Sequence, residues 1–175
     1  MWNFAGKQND IQWKYDLLNG NWISGIKFID EFRLGPQQNL SEDVLTNKGR
    51  NRYYFLPLIL GIIGLLLVFK NDKNLFWVVT VLFLFTGLAL KVYVNERVFE
   101  PRERDYALVG SFYVFSIFIG LSIISVYRKL KTFLNNKTSI PLSIGLLLIV
   151  PFLMAYENWD DHDRSNRYTA QSLAK

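Results

Sequence analysis

The sequence predicts an all-α fold: a polytopic membrane helical bundle with about four transmembrane helices and N-terminal amphipathic helices. Three observations carry this reading. Half of the 175 residues are hydrophobic and 16% are aromatic. The apolar residues are gathered into blocks of roughly 17–22, close to the ~20 that an α-helix needs to cross a bilayer core. Charges fall almost wholly between the blocks. Backbone polar groups cannot be left unpaired in lipid, so blocks of this kind must be helical.

Residues 1–52 are polar but rich in aromatic side chains. Ile11, Tyr15 and Leu18 stand at i, i+4, i+7, and Trp22, Ile26 and Ile29 repeat a helical spacing after the Asn19-Gly20 turn signal. Two short amphipathic helices are expected here, either lying at the membrane interface or packing on a soluble part of the protein. The stretch 35–52 carries Gly, Pro, Asn, Gln and Ser and reads as a loop.

The transmembrane region, 53–156, divides into four spans: 53–69, 75–94, 106–127 and 139–156. Tyr53, Tyr54 and Phe55 open the first as an aromatic belt. Only Lys70–Asn74 separates the first two, so they form a tight hairpin. Gly61 with Gly64, and Ser116 with Gly120, have the spacing that lets helix backbones approach closely. Pro57, Pro141 and Pro151 are candidate kinks. A polar C-terminal segment, 157–175, follows. No apolar core follows Met1 for about fifty residues, so the first span would serve as the targeting signal.

Four spans place 1–52, 95–105 and 157–175 on one side. The other side receives Lys70–Asn74 and Arg128–Thr138, with six Lys or Arg and only Asp72 as an acid. The positive-inside rule makes that second side cytoplasmic. The net charge of +5 then belongs to membrane flanks rather than to a nucleic-acid surface. The absence of cysteine excludes disulfides, thiol catalysis and Cys-based metal sites.

Two charged motifs stand out. In Asn95–Asp105, Pro101 suits the first turn of a helix, and Glu103 and Asp105 complement its positive end. The alternative is an anion site, with Arg102 and Arg104 as bidentate donors oriented by Glu100 and Glu103. In Glu157–Tyr168, the residues Asp160, Asp161, His162 and Asp163 are candidates for a divalent cation, and His162 for general acid–base work. The competing reading is helical salt pairing, because Asp160–Arg164 and Asp163–Arg167 are i, i+4.

Several stretches resemble a known family: Trp2–Ile11, Asn19–Ile26, Asn47–Arg50 with Tyr53–Pro57, Glu100–Tyr106 with Gly110–Phe112, and Asn158–Arg164 with Arg167–Thr169. They look like a bacterial multi-spanning membrane family of unknown function that is protein O-mannosyltransferase-like and similar to the GT-C glycosyltransferases. The resemblance implies a bacterial inner (cytoplasmic) membrane, and the positive-inside reading puts the charged motifs on its extracytoplasmic face. It also implies that the chain is an interior or C-terminal piece of a longer membrane domain. The family's catalytic carboxylate lies in an early loop with no counterpart here, so no catalytic residue carries over. Arg102, Glu103, Arg104, Asp105, Trp159, Asp160, Asp161, His162, Asp163 and Arg164 are the candidates for binding a lipid phosphate or an acceptor. The implied function is part of a glycosyltransferase moving a sugar from a polyprenyl-phosphate donor to protein. The alternative is a non-catalytic membrane scaffold or assembly partner. A transporter is disfavoured, because no ionisable residue stands at mid-span.

Overall fold

The computed structural model describes residues 2–8, 21–38, 40–95 and 105–162. Its elements run α1 (Trp2–Ala5), β1 (Gly6–Lys7), α2 (Lys27–Leu34), α3 (Glu42–Leu45), β2 (Asn51–Arg52), α4 (Leu56–Asn71), α5 (Lys73–Leu84), α6 (Leu90–Val94), α7 (Val109–Lys131) and α8 (Asn136–His162). A π-helical segment, Phe85–Ala89, joins α5 to α6, and a 3-10 turn, Asp105–Leu108, leads into α7. The all-α helical bundle is the observed fold, with a two-stranded antiparallel ribbon at one end.

Three helices are long and apolar enough to cross a membrane: Lys73–Val94, Tyr106–Lys131 and Asn136–Asp160. The first expected span is shorter. α4 has 16 residues, about 24 Å of helix against a core of ~30 Å. The shortening has a local cause. Tyr54 and Phe55 both take left-handed backbone angles (φ 52° and 57°), and no helix of L-residues continues through such a pair. Tyr53 is buried rather than set in an aromatic belt. Pro57 fits at the start of α4, where no intrahelical donor is lost.

The tight hairpin between α4 and α5 turns on Asp72. Its Oδ1 accepts from the backbone N–H groups of Asn74 and Leu75, both at 3.0 Å, which caps α5. At the core, α4 and α7 run in the same direction and nearly touch. A Cβ on Gly64 would sit 1.7 Å from the Phe118 carbonyl oxygen, and one on Gly61 would sit 2.2 Å from the Phe115 ring. Phe118, Phe115, Val114, Val68 and Val79 form the buried cluster around this contact, and Phe4 of α1 packs on Phe112 and Phe115. A second close approach pairs Gly87 of the π segment with Ser111, and Gly110 with Thr86.

Several expectations change. Gly120 has no neighbouring atom for a Cβ to meet, and the exposed Ser116 bonds back to Tyr113 of its own helix. The Ser116–Gly120 pair therefore makes no interhelical contact. Trp22 lies in a β-bridge to Lys7, so the helix begins only at Lys27. Residues 11–18 of the first expected amphipathic helix lie outside the described residues. The presumed loop 35–52 contains α3 and β2. α8 passes through Pro141 and Pro151 and runs on to His162, so the acidic motif begins inside the last helix.

Candidate functional site

The end of the bundle where α4 begins and α8 finishes is built from three short segments. Residues 5–8, 21–25 and 51–54 are laced by backbone bonds: Ile23 N–H to Gly6 O at 3.0 Å, Tyr53 N–H to Ala5 O at 2.9 Å, and Tyr54 N–H to Ser24 O at 3.0 Å. Gly6 lies where they converge. Its φ is 130°, and a Cβ would come within 2.4 Å of Asn51 O and 2.7 Å of Ile23 O, so only glycine fits. Asp30, 3% exposed, reaches back from α2 to hold the middle segment. Its Oδ1 accepts from Ser24 N–H and Ser24 Oγ, and its Oδ2 from Gly25 N–H, each at 2.8 Å. Arg33 stacks over the Trp22 ring, 3.8 Å from its centroid, and donates to Trp22 O.

α8 docks on this cap through the start of its charged motif. Glu157 Oε2 accepts from Arg52 N–H at 2.8 Å. Asn158 Oδ1 accepts from Asn51 Nδ2 at 2.9 Å, and its own Nδ2 donates to Tyr53 Oη at 2.7 Å. Burial raises the Tyr53 phenol above its ordinary value, against the opposing pull of the Asn158 bond.

Between this cap and α8 lies an open cleft of about 690 Å³. One wall is the loop Thr46–Arg50. There Asn47 Oδ1 accepts from Gly49 N–H at 2.8 Å, a turn whose exposed Lys48 lines the open cleft. The other wall is α8, with Phe152 and Tyr156 toward its apolar part and Glu157, Trp159 and Asp160 toward its polar end. Arg50 also lines the cleft, donating to Gln37 Oε1 at 3.0 Å, while its buried Nε has no partner among the described residues. Burial, then the nearby Arg52, lower its pKa, and Asp30 opposes them. Arg50 also lines a neighbouring cavity of about 240 Å³ with Lys27, Asp30, Glu31 and Arg52.

Of the residues singled out in the sequence, Trp159 and Asp160 line this cleft. Asp161 and His162 form the last turn of α8, and Asp105 starts the 3-10 turn before α7. Arg102, Glu103, Arg104, Asp163 and Arg164 lie outside the described residues, as do both expected salt pairs. Among the described residues no three His, Asp or Glu side chains gather as a metal set.

Sequence reasoning passed over Lys48 and Arg50 as site residues, and Asp30, Asn51 and Tyr53 as the frame that holds them. The signals were faint: an Asn-Lys-Gly turn, and an aspartate five to six residues after a Ser-Gly pair. Matched against known protein families, curated proteins and solved structures, the chain has no match.

Proposed function

We propose that this end of the bundle binds the phosphate of a polyprenyl-phosphate sugar, as part of a membrane glycosyltransferase-like protein that transfers the sugar to protein. The observation that carries the reading is the composition of the 690 Å³ cleft. Lys48 and Arg50 face an apolar and aromatic stretch of α8, at the end of helices long enough to span a membrane. A lipid phosphate needs that pairing: cations for the anion, and an apolar wall along which its tail leaves toward the bilayer. Trp159 offers a flat surface against which a sugar ring stacks, and Glu157 and Asp160 offer acceptors for its hydroxyls. In this reading Arg102 and Arg104, which lie outside the described residues, would add cations for the phosphate, and Asp161 and His162 would serve the acceptor side. In this reading the setting is a bacterial inner membrane with the cleft on the extracytoplasmic face.

The test is binding of a fluorescent polyprenyl phosphate to the purified chain in detergent, read by anisotropy. Lys48→Ala and Arg50→Ala are each expected to weaken binding about tenfold, the loss of one charge-assisted hydrogen bond. Sugar transfer is expected to fall in Arg102→Ala and Asp161→Ala. No polyprenyl-phosphate binding by the wild-type chain would sink the reading and leave the scaffold alternative.

A further inference from the structure

The opposite end of the bundle carries a separate feature that the proposed sugar chemistry does not use. A groove of about 360 Å³ runs between α4 and α7 where both helices finish. Its floor on α4 is Ile63, Leu66 and Leu67, and Lys70 stands three residues beyond Leu67 on the same helical stripe. On α7, Ser125 and Arg128 are three apart and face the same groove. The groove is thus apolar toward the bilayer centre and polar at the helix ends.

The polar groups at its mouth are not consumed within the protein. Lys70 and Arg128 are exposed, and neither has an ion pair or hydrogen bond among the described residues. Ser116 and Ser122 on the same helix each donate to a carbonyl three residues back, at 2.6 Å. Ser125 makes no such bond, so its hydroxyl remains available to an occupant of the groove. The one acid nearby, Asp72, is occupied in capping α5.

Basic residues at helix C-termini also complement the helix dipole. Magnitudes separate that role from a ligand site. Two helix ends contribute about −0.5 charge each. Against them and Asp72 stand Lys70, Lys73, Arg128, Lys129, Lys131 and Lys137, a clear positive excess.

We propose that this groove binds a glycerophospholipid with an anionic headgroup. Its phosphate lies between Lys70 and Arg128, Ser125 and Asn71, which also lines the groove, donate to its ester oxygens, and one acyl chain lies along Ile63, Leu66 and Leu67. Charge complementarity selects the headgroup. The apolar floor, with Leu66 half exposed, selects a lipid over a free anion.

The experiment is lipid retention by the full chain in non-ionic detergent, read by native mass spectrometry. The probes are phosphatidylglycerol, phosphatidylcholine with the same chains, and inorganic phosphate. Wild type is expected to retain phosphatidylglycerol at least tenfold better than phosphatidylcholine, and inorganic phosphate at equal concentration is expected not to displace it. Lys70→Gln and Arg128→Gln should each reduce phosphatidylglycerol binding roughly five-fold, and about 25-fold together. Ser125→Leu, which fills the groove, should weaken both lipids. Equal retention of the two lipids by wild type would overturn the proposal, and that comparison depends on no variant folding. Displacement by inorganic phosphate would also overturn it, as would an unchanged preference in the folded double variant. None of these outcomes bears on polyprenyl-phosphate binding at the other end.

Discussion

The α4–α7 contact and the cap at the start of α4 hold together by opposite means. Between α4 and α7 no side-chain hydrogen bond is made among the described residues. Gly61 and Gly64 remove the side chains that would keep the helices apart, and the Phe115 and Phe118 region closes on the space. In the cap the chain is extended and short, and buried Asp30 and Asn51, with half-buried Asn158, tie it with directed bonds. The difference follows from solvent. Lipid is as apolar as leucine, so burying apolar side chains drives little association within a bilayer and close approach must supply the contact. At the membrane end, irregular backbone must satisfy its polar groups, and side chains that reach back to it do so.

The sharpest way to break the first region is Gly64→Ala. The new methyl would meet backbone at Phe118, which no rotamer change relieves, so the helices must part. A loss of about 3 kcal/mol or more is expected, measured by unfolding in a denaturing detergent. Gly61→Ala is expected to lose less, about 1–2 kcal/mol, because the Phe115 ring can swing away. Gly120→Ala, with open space around it, should show little change. Equal effects at all three positions would show that glycine spacing, rather than contact, sets the packing.

Asp30→Ala breaks the second region by stranding three donors. About 2–3 kcal/mol should be lost, seen as faster proteolysis around residues 21–26 at constant helix content. Asn158→Ala removes two of the bonds between cap and α8 and leaves that of Glu157 to Arg52 N–H, for about 1–2 kcal/mol, and should loosen the end of α8 without disturbing α4–α7. The smallest effect is a pH dependence. The Tyr53 phenol is raised in the folded state, so its contribution is complete below its ordinary value of 10.0. It is lost as pH climbs from there through the folded value. Unfolding midpoints should therefore fall above pH 10, and Tyr53→Phe should remove that part of the slope.

The two regions also differ in how far the sequence foretold them. Long apolar blocks have one solution in lipid, so the helices could be read from residue type, and small-residue spacing pointed to the Gly61–Gly64 approach but equally to Ser116–Gly120, which makes none. The end of the first span could not. The left-handed turn at Tyr54–Phe55 depends on bonds from Tyr53 and Tyr54 to Ala5 and Ser24, far away in the chain. Trp22, Ile26 and Ile29 have helical spacing, yet pairing of Ile23 with Gly6 draws Trp22 into extended backbone. The cleft escaped for the same reason. Lys48 and Arg50 face Tyr156 and Trp159 only because Asn51 meets Asn158 across 107 residues.

That separation has a consequence for synthesis. Ribosomes add roughly 5–20 residues per second, so Asn51 leaves the ribosome about 5–20 s before Asn158. Through that interval the buried amide of Asn51 and the phenol of Tyr53 lack the partner on α8. Once Lys131 has followed, still ahead of Asn158, α4 and α7 can pair. The bundle's apolar half is thus able to assemble in the order of translation, and the cap closes last. A nascent chain stalled before residue 157 is expected to carry packed helices and an open, protease-accessible cap.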